Sequence, residues 1–270
     1  MEIQFESSPD TFVPVDLDSE LLDIISTALE FPQLVQSALR IECRVPDVWR
    51  YTVQVSDSGR TVVLKPNTRA SIPSNYMDVP AADAAGRESI LLVLESPHKD
   101  EYLRVNGLLI PRAPAQGRGI FGAGRGIHMY GHYVLSRLNL LDGAYPLIIA
   151  NPVPYQCSLV SVPPGKPRAL DEKVKPVRDH VWRQLFGLTP VRQDFLARCK
   201  SYSPRVVLNC CTKELRAELT DFLCNELSSN FAQHPMLFEC EHPSVQWCTQ
   251  HKKGIPLFNV LCQGRTRIPC

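Results

Sequence analysis

The chain has 270 residues, of which 44% are hydrophobic and 21% are charged, and its formal net charge at pH 7 is +1. This length suits one large domain, or one domain with an added subdomain, and it can bury a substantial core. The composition is ordinary for a soluble globular protein. The near-zero net charge excludes a global basic field, so any nucleic-acid surface must be a local one.

The N-terminal third predicts helices and a β-hairpin. Residues 17–40 carry apolar residues at helical spacing, and residues 50–65 alternate apolar with polar residues around the turn Asp57-Ser58-Gly59. Residues 66–88 are rich in Pro, Asn, Ser, Asp and Ala, which is typical of a linker. We therefore predict a helix-plus-hairpin extension with its linker over residues 1–85.

After this linker, residues 86–270 alternate short apolar runs with helical periods. A continuous apolar run is typical of a strand that is buried on both faces. The alternation predicts an α/β domain with a central four-stranded, mainly parallel sheet and helices on both faces. The predicted strands are 90–94, 147–150, 206–208 and 236–239, and the predicted helices are 127–140, 172–186, 190–200 and 212–228.

The chain contains ten cysteines, and its first ten residues are polar and acidic rather than a signal peptide. No run reaches the roughly 18 apolar residues that a membrane span needs. We therefore expect a cytoplasmic protein with reduced thiols that pack mainly in the core. No Cys-x-x-Cys pair occurs, and adjacent Cys210 and Cys211 are poorly spaced for one metal, so zinc and iron–sulfur sites are disfavoured.

Three of the predicted strands run into polar segments. The first strand is followed by Glu95-Ser96-Pro97-His98, the second by Asn151-Pro152, and the fourth by Glu241-His242-Pro243-Ser244. The carboxyl ends of parallel strands lie at one edge of a sheet, where ligands of such sheets bind. We therefore expect a carboxylate, an amide and an imidazole to face one cleft.

This pattern resembles the uracil-DNA glycosylase superfamily over residues 90–262. Glu95-Ser96-Pro97 is similar to the first motif of that family, and most like the Gly-Glu-Ala-Pro-Gly form of its thermophile-type branch. The segment Gly117-Arg118-Gly119-Ile120-Phe121-Gly122 is similar to the Gly- and Phe-containing loop that stacks on the base. Asn151 matches the strand-end asparagine, and His242-Pro243-Ser244 resembles the His-Pro-Ser motif.

The chain also departs from the family pattern. Leu94 stands where the first motif has its leading glycine, and residues 1–85 match no part of the family. The thermophile-type branch has iron–sulfur cysteines, but only Cys43 precedes the first motif here. Other branches carry Asp or Asn at or near the position of Glu95, so its place in the motif is better defined than its role.

The resemblance implies a monofunctional DNA glycosylase that hydrolyses the N-glycosidic bond of a flipped-out base and needs no cofactor. Cleavage of this bond builds positive charge on the sugar and negative charge on the base. Glu95 would stabilise the cation and accept a proton from water, and His242 would donate a hydrogen bond to the leaving base. The alternatives are a capping carboxylate for Glu95 and, for His242, an imidazole that ties down a His-Pro turn.

A flipped base also needs a pocket. Phe121 is expected to stack on the base and Asn151 to read its edge; the alternatives are a core phenylalanine and a turn asparagine. Ser96 and Tyr155 are expected to line the pocket, and His98 to gate it. An exposed loop histidine is the alternative for His98.

In this family a bulky apolar residue after His-Pro-Ser fills the vacated base stack. That place falls near Gln246 and Trp247, so Trp247 is the candidate wedge, and a core tryptophan on a helix face is the alternative. The residues expected to contact DNA are Arg118, Arg125, Ser244, Gln246, Trp247, Lys252 and Lys253. Each charged residue could instead be a solvated one.

Two candidate substrates remain open. One is a modified cytosine of phage DNA, such as a glucosylated hydroxymethylcytosine, whose excision would serve antiviral defence; the other is uracil or another deaminated base. A non-catalytic nucleic-acid-binding module of the same fold is the second class of function, and a different α/β hydrolase is the third. We expect double-stranded DNA as the partner, no membrane, no obligate protein partner and a monomer.

Overall fold

A computed structural model describes residues 3–28, 38–67, 79–106, 108–117, 122–159, 171–231, 234–262 and 266–270. The strands within these ranges are β1 (Ile3–Ser8), β2 (Thr11–Val15), β3 (Val48–Ser56), β4 (Thr61–Pro66), β5 (Val79–Pro80), β6 (Ser89–Val93), β7 (Tyr102–Val105), β8 (Leu108–Pro111), β9 (Gly143–Ala150), β10 (Pro204–Asn209), β11 (Met236–Cys240), β12 (Leu257–Leu261) and β13 (Thr266–Pro269). The helices are α1 (Ser19–Ala28), α2 (Ala123–Leu135), α3 (Asp171–Gly187), α4 (Thr189–Ser201), α5 (Lys213–Asn230) and α6 (Val245–Gln250).

Nine of these strands form one mixed sheet, in the order β13-β12-β11-β10-β6-β9-β3-β4, with β5 paired to β3. The four strands β11, β10, β6 and β9 run parallel to their neighbours within this set. The outer strands pair antiparallel on both sides. Strand β6 lies in the middle and is buried at every position, which explains its continuous apolar sequence.

The prediction of a four-stranded, mainly parallel sheet with a separate hairpin extension was wrong. The predicted hairpin exists as β3 and β4, but β3 also pairs with β9 and so joins the large sheet. Alternation of Tyr51, Val53 and Val55 identifies a strand, but it does not identify the strand on its other edge. On the opposite side, β12 and β13 widen the sheet further.

The chain divides into two compact units, each built from three segments. One unit comprises Met1–Pro46, Ser96–Pro114 and Asn151–Phe195, and the other comprises Asp47–Glu95, Ala115–Ala150 and Leu196–Cys270. The second, which we call the sheet unit, contains all nine strands of the large sheet. The first contains the two-stranded sheets β1-β2 and β7-β8. The proposed division into an extension over residues 1–85 and a domain over residues 86–270 stays a prediction.

The cysteines differ in part from the expectation of reduced thiols. Cys224 of α5 and Cys262, which follows β12, form a disulfide with Cα atoms 4.9 Å apart. Six other cysteines are buried, as expected of core thiols: Cys43, Cys157, Cys199, Cys210, Cys211 and Cys240. Among the described helices, none is both long and apolar enough to cross a membrane.

Candidate active site

The carboxyl ends of β6, β10 and β11 lie side by side at one edge of the large sheet. Val93, Asn209 and Glu239 are register partners across these three strands, and β9 ends in the same row. Glu95 lies two residues beyond this row and His242 three residues beyond it. Only β10 separates β6 from β11, so with a spacing of about 4.8 Å between strands the two strand ends are about 10 Å apart.

His242 is half-buried in the turn after β11, and Ser244 holds its ring. The backbone N–H of Ser244 donates to Nδ1 of His242 at 3.3 Å, and the Ser244 hydroxyl lies 2.9 Å from the same nitrogen. A backbone N–H can only donate, so Nδ1 acts as an acceptor and the neutral ring carries its proton on Nε2. In the neutral ring, the N–H donor of His242 is therefore Nε2. Ser244 was predicted to contact DNA, and the structure places its hydroxyl on His242.

The same turn packs against helix α2 at a glycine. A Cβ on Gly126 would lie 1.5 Å from the carbonyl oxygen of Pro243, so only glycine permits this approach of two backbones. Two residues earlier, a Cβ on Gly124 would lie 2.2 Å from the carbonyl oxygen of Ala115. The glycines of α2 thus let one helix contact both the turn that carries His242 and the segment around Ala115.

Arg216 of α5 fixes the residue that precedes His242. Its Nη1 and Nη2 donate to the two carboxylate oxygens of Glu241, each at 3.1 Å, and its Nε donates to the carbonyl of Cys211 at 3.0 Å. The hydrogen bond from Arg216 lowers the pKa of Glu241 below its ordinary value, against the opposing effect of burial. This bidentate pair joins the turn after β11 to the turn after β10. Sequence reasoning missed it, because the two residues lie on different elements.

A buried polar network lies along the last residues of β10 and β11. Glu239 is buried and accepts hydrogen bonds from Thr220 at 2.5 Å and from Arg267 at 2.9 Å. The side-chain amide of Asn209 donates to Thr220 at 3.0 Å and to the carbonyl of Arg216 at 3.1 Å. Buried networks of this kind hold their elements in one arrangement. The network therefore ties β10, β11, β13 and α5 together below the candidate site.

Glu95 and Gln116 are two further buried polar residues of the sheet unit. Glu95 is 9% exposed and lies just beyond β6, and Gln116 is 3% exposed. Arg50 of β3 positions the segment that contains Gln116, because its Nη1 donates to the carbonyl of Ala115 at 2.6 Å. Val48, two residues before Arg50, pairs with Ile149 at the carboxyl end of β9. The segment that Arg50 holds, which begins at Ala115, therefore starts at the same edge of the sheet as the strand ends described above. Nothing in the sequence around Gln116 marks it as a site residue.

Four residues predicted to bind the base belong to the other unit. Asn151 directly follows β9 and is buried, and Tyr155 is also buried, with its ring packed edge-to-face on Phe5 at 5.0 Å. Ser96 is half-buried and His98 is exposed. The base-binding roles of Asn151, Tyr155, Ser96 and His98 stay predictions.

Trp247 lies in the core rather than on the surface. Its side chain is 0% exposed, its Nε1 donates to the carbonyl of Glu241 at 2.6 Å, and it packs against α2 near Gly131. A wedge must be exposed to enter a base stack. The structure thus favours the core interpretation, and we do not propose Trp247 as the wedge. Its neighbour Gln246 is half-buried and accepts a hydrogen bond from Gln250 at 2.8 Å.

Three of the predicted DNA-contact cations are exposed, as that role requires: Arg125, Lys252 and Lys253. Phe121 and Arg118 lie outside the described residues, so their roles stay predictions. Within the described ranges, no three side chains of His, Cys, Asp and Glu are grouped in a way that could hold a metal ion.

Comparison of the chain with protein-family models, with curated proteins and with solved structures found no match in any of the three. The resemblance to the uracil-DNA glycosylase superfamily therefore depends on the motifs and on the places of their residues in the fold.

Proposed function

We propose that the chain is a monofunctional DNA glycosylase that hydrolyses the N-glycosidic bond of a flipped-out base and leaves an abasic site. The observation that carries the proposal is the placement of Glu95 and His242 beyond two parallel strands that are separated by one strand. A carboxylate and an N–H donor at neighbouring strand ends can act on the two sides of one glycosidic bond.

Glu95 is assigned to the sugar side of this bond. The departing base leaves positive charge at C1′, and a nearby carboxylate stabilises that charge more strongly in the transition state than in the ground state. The same carboxylate can accept a proton from the attacking water. Burial of Glu95 favours this role, because electrostatic attraction is stronger where water is excluded.

His242 is assigned to the base side. Its Nε2–H can donate to an oxygen of the departing base, where negative charge develops. Ser244 supports this assignment by engaging Nδ1, so the neutral ring keeps its proton on the nitrogen that would face the base. Donation by the neutral ring requires no change of protonation state during cleavage.

The remaining parts of the proposal depend on the resemblance. The substrate is double-stranded DNA with one flipped nucleotide, and the chain acts as a monomer in the cytoplasm without a cofactor. Leu94, in place of the motif glycine, and His98 beyond it favour a pocket for a modified base, such as glucosylated hydroxymethylcytosine of phage DNA. Such an activity would serve antiviral defence.

The test is base excision from labelled duplexes that contain uracil, hypoxanthine or glucosylated hydroxymethylcytosine, with abasic sites detected by alkaline cleavage. Glu95→Gln and His242→Asn are expected to lower excision about 100- to 10,000-fold. Glu88→Gln and His234→Asn are matched controls, because these exposed residues precede the same two strands at their opposite ends. Full excision by Glu95→Gln would remove the carboxylate from the mechanism. Excision of uracil alone would reject the modified-base substrate.

A further inference from the structure

Helix α2 and the segment after α6 present an exposed surface rich in aromatic and imidazole rings. The buried face of α2 consists of its glycines and aliphatic residues, and its opposite face is solvent-exposed. Tyr130 stacks on His251, with ring centroids 4.4 Å apart and planes inclined by 23°. The exposed members of this surface, which we call the α2 platform, are His128, Met129, His132, Tyr133, Arg125, Lys252 and Lys253.

Large side chains that are exposed together in one patch need an explanation, whereas single ones do not. Tyr133 is 48% exposed and Met129 is 46% exposed, and the ring of His132 lies 4.0 Å from that of Tyr133. The face of Tyr133 is thus supported from one side by its own neighbour. This arrangement leaves flat rings at the surface, where a flat ligand can stack.

The α2 platform also carries positive charge, and the chain segments that form it contain no Asp or Glu. Arg125, Lys252 and Lys253 are exposed, and no Asp or Glu occurs in residues 122–141 or 242–256. The chain as a whole has a net charge of only +1, so this surface is a local concentration of cations. Cations interleaved with aromatic rings are the pattern by which proteins hold unpaired nucleic acid, with phosphates on the cations and bases on the rings.

The platform begins beside the turn that carries His242. Gly126 of α2 contacts the Pro243 backbone, and α6 follows that turn directly. From Gly126 to Tyr133 the helix rises by about 10 Å. Bases that stack along one strand are about 3.4 Å apart, so this length accommodates about three nucleotides.

From these contacts and charges we infer that the α2 platform is a binding site for single-stranded DNA, such as an unpaired segment adjoining the duplex that carries the target nucleotide. The inference rests on the proposed glycosylase function, which supplies the target nucleotide, although the binding itself needs no catalysis. Tyr133 and the Tyr130–His251 pair stack on bases, and Lys252 and Lys253 contact phosphates. A duplex would not satisfy this surface, because its base faces are already stacked.

The test is fluorescence anisotropy of the full chain with a labelled 12-nucleotide oligothymidine and with a duplex of the same length. Tyr133→Ala is expected to weaken single-strand binding about 5- to 150-fold with an unchanged salt dependence, while Tyr133→Phe binds like the wild type. Lys252→Ala/Lys253→Ala is expected to weaken binding and to reduce the slope of log K against log salt by about 1.4. Phe12→Ala and Lys175→Ala/Lys200→Ala are matched controls on exposed residues elsewhere.

Wild-type affinity in both Tyr133→Ala and the double lysine variant would overturn the inference, as would a Tyr133→Ala protein that loses duplex affinity as much as single-strand affinity. Glu95→Gln separates the two proposals, because it is expected to lower excision about 100- to 10,000-fold and to keep wild-type affinity for the oligonucleotide. Single-strand binding that depends on Tyr133, in a protein without any excision, would support the platform and reject the glycosylase.

Discussion

Replacing Gly126 with alanine is expected to push helix α2 away from the turn that carries His242. The added Cβ would lie 1.5 Å from the carbonyl oxygen of Pro243 and 2.7 Å from its carbonyl carbon. A van der Waals contact needs about 3.5 Å, so the helix and the turn must separate by about 2 Å. Both partners are backbone, so neither can rotate away as a flexible side chain would.

The substitution combines a favourable and an unfavourable effect. Alanine is better than glycine inside a helix by about 1 kcal/mol, whereas overpacking of a close contact costs about 1–3 kcal/mol and occasionally more. Because the overlap at Gly126 is deep, we expect a net loss of about 2 kcal/mol in the free energy of unfolding. The separation would also move His242, and a misplacement of about 1 Å can lower a catalytic rate about 100-fold.

Urea unfolding measures the stability, and excision from a labelled duplex at a temperature where each variant is folded measures the activity. Two other glycines provide controls. A Cβ on Gly131 of the same helix would lie 3.0 Å from the flexible end of the Leu64 side chain, and a Cβ on Gly187 would have no atom within 4 Å. Alanine at either position is expected to change stability and excision much less. The reasoning would be refuted by a Gly126→Ala protein as stable and as active as the wild type.

Three further changes test other contacts. Glu241→Gln is expected to lower the free energy of unfolding at pH 7 by about 1 kcal/mol, because the carboxylate is one-quarter exposed and partly screened. The lowered pKa of Glu241 makes this stabilisation complete above the ordinary value of 4.5 and lost as pH falls through the folded-state pKa. Urea unfolding of variant and wild type should therefore converge as the pH is lowered below 4.5, and a constant difference would contradict this. Ser244→Ala is expected to slow excision about 5-fold, since His242 loses the hydroxyl at Nδ1; an unchanged rate would argue against a role for that contact. Cys262→Ser removes the disulfide to Cys224, which closes a loop of 38 residues, and is expected to lower the free energy of unfolding by about 4 kcal/mol. In thermal unfolding, a reducing agent should destabilise the wild type but not this variant.

The parallel centre of the sheet was predictable because its strands are buried on both faces. The apolar runs at 90–94 and 236–239 coincide closely with β6 (Ser89–Val93) and β11 (Met236–Cys240). The outer strands lack this signal. The apolar sequence of β12 is interrupted by Asn259, and β13 is exposed throughout, so neither strand has the uninterrupted apolar run of the central strands.

For the site, the sequence indicated which residues follow the strands but not how they are held. His242 and Glu95 could be placed, because the end of a buried strand is visible in the pattern of apolar residues. Arg216 could not, because it reaches Glu241 from a different helix and no spacing records such a contact. The burial of Trp247 was likewise not visible in the sequence. Its place after His-Pro-Ser suggested a wedge, and only its packing against α2 shows that it is buried.

The turn after β11 is restrained from several directions before any ligand arrives. Arg216 holds the Glu241 side chain, the Trp247 indole holds the carbonyl of Glu241, and Ser244 holds the His242 ring. A donor fixed in this way needs no reorganisation energy at the moment when charge develops on the base. Loosening any one restraint should therefore affect the transition state more than substrate binding, so kcat should fall while KM stays near its wild-type value. A variant at Arg216 or Ser244 that raised KM alone would instead show that the turn serves binding.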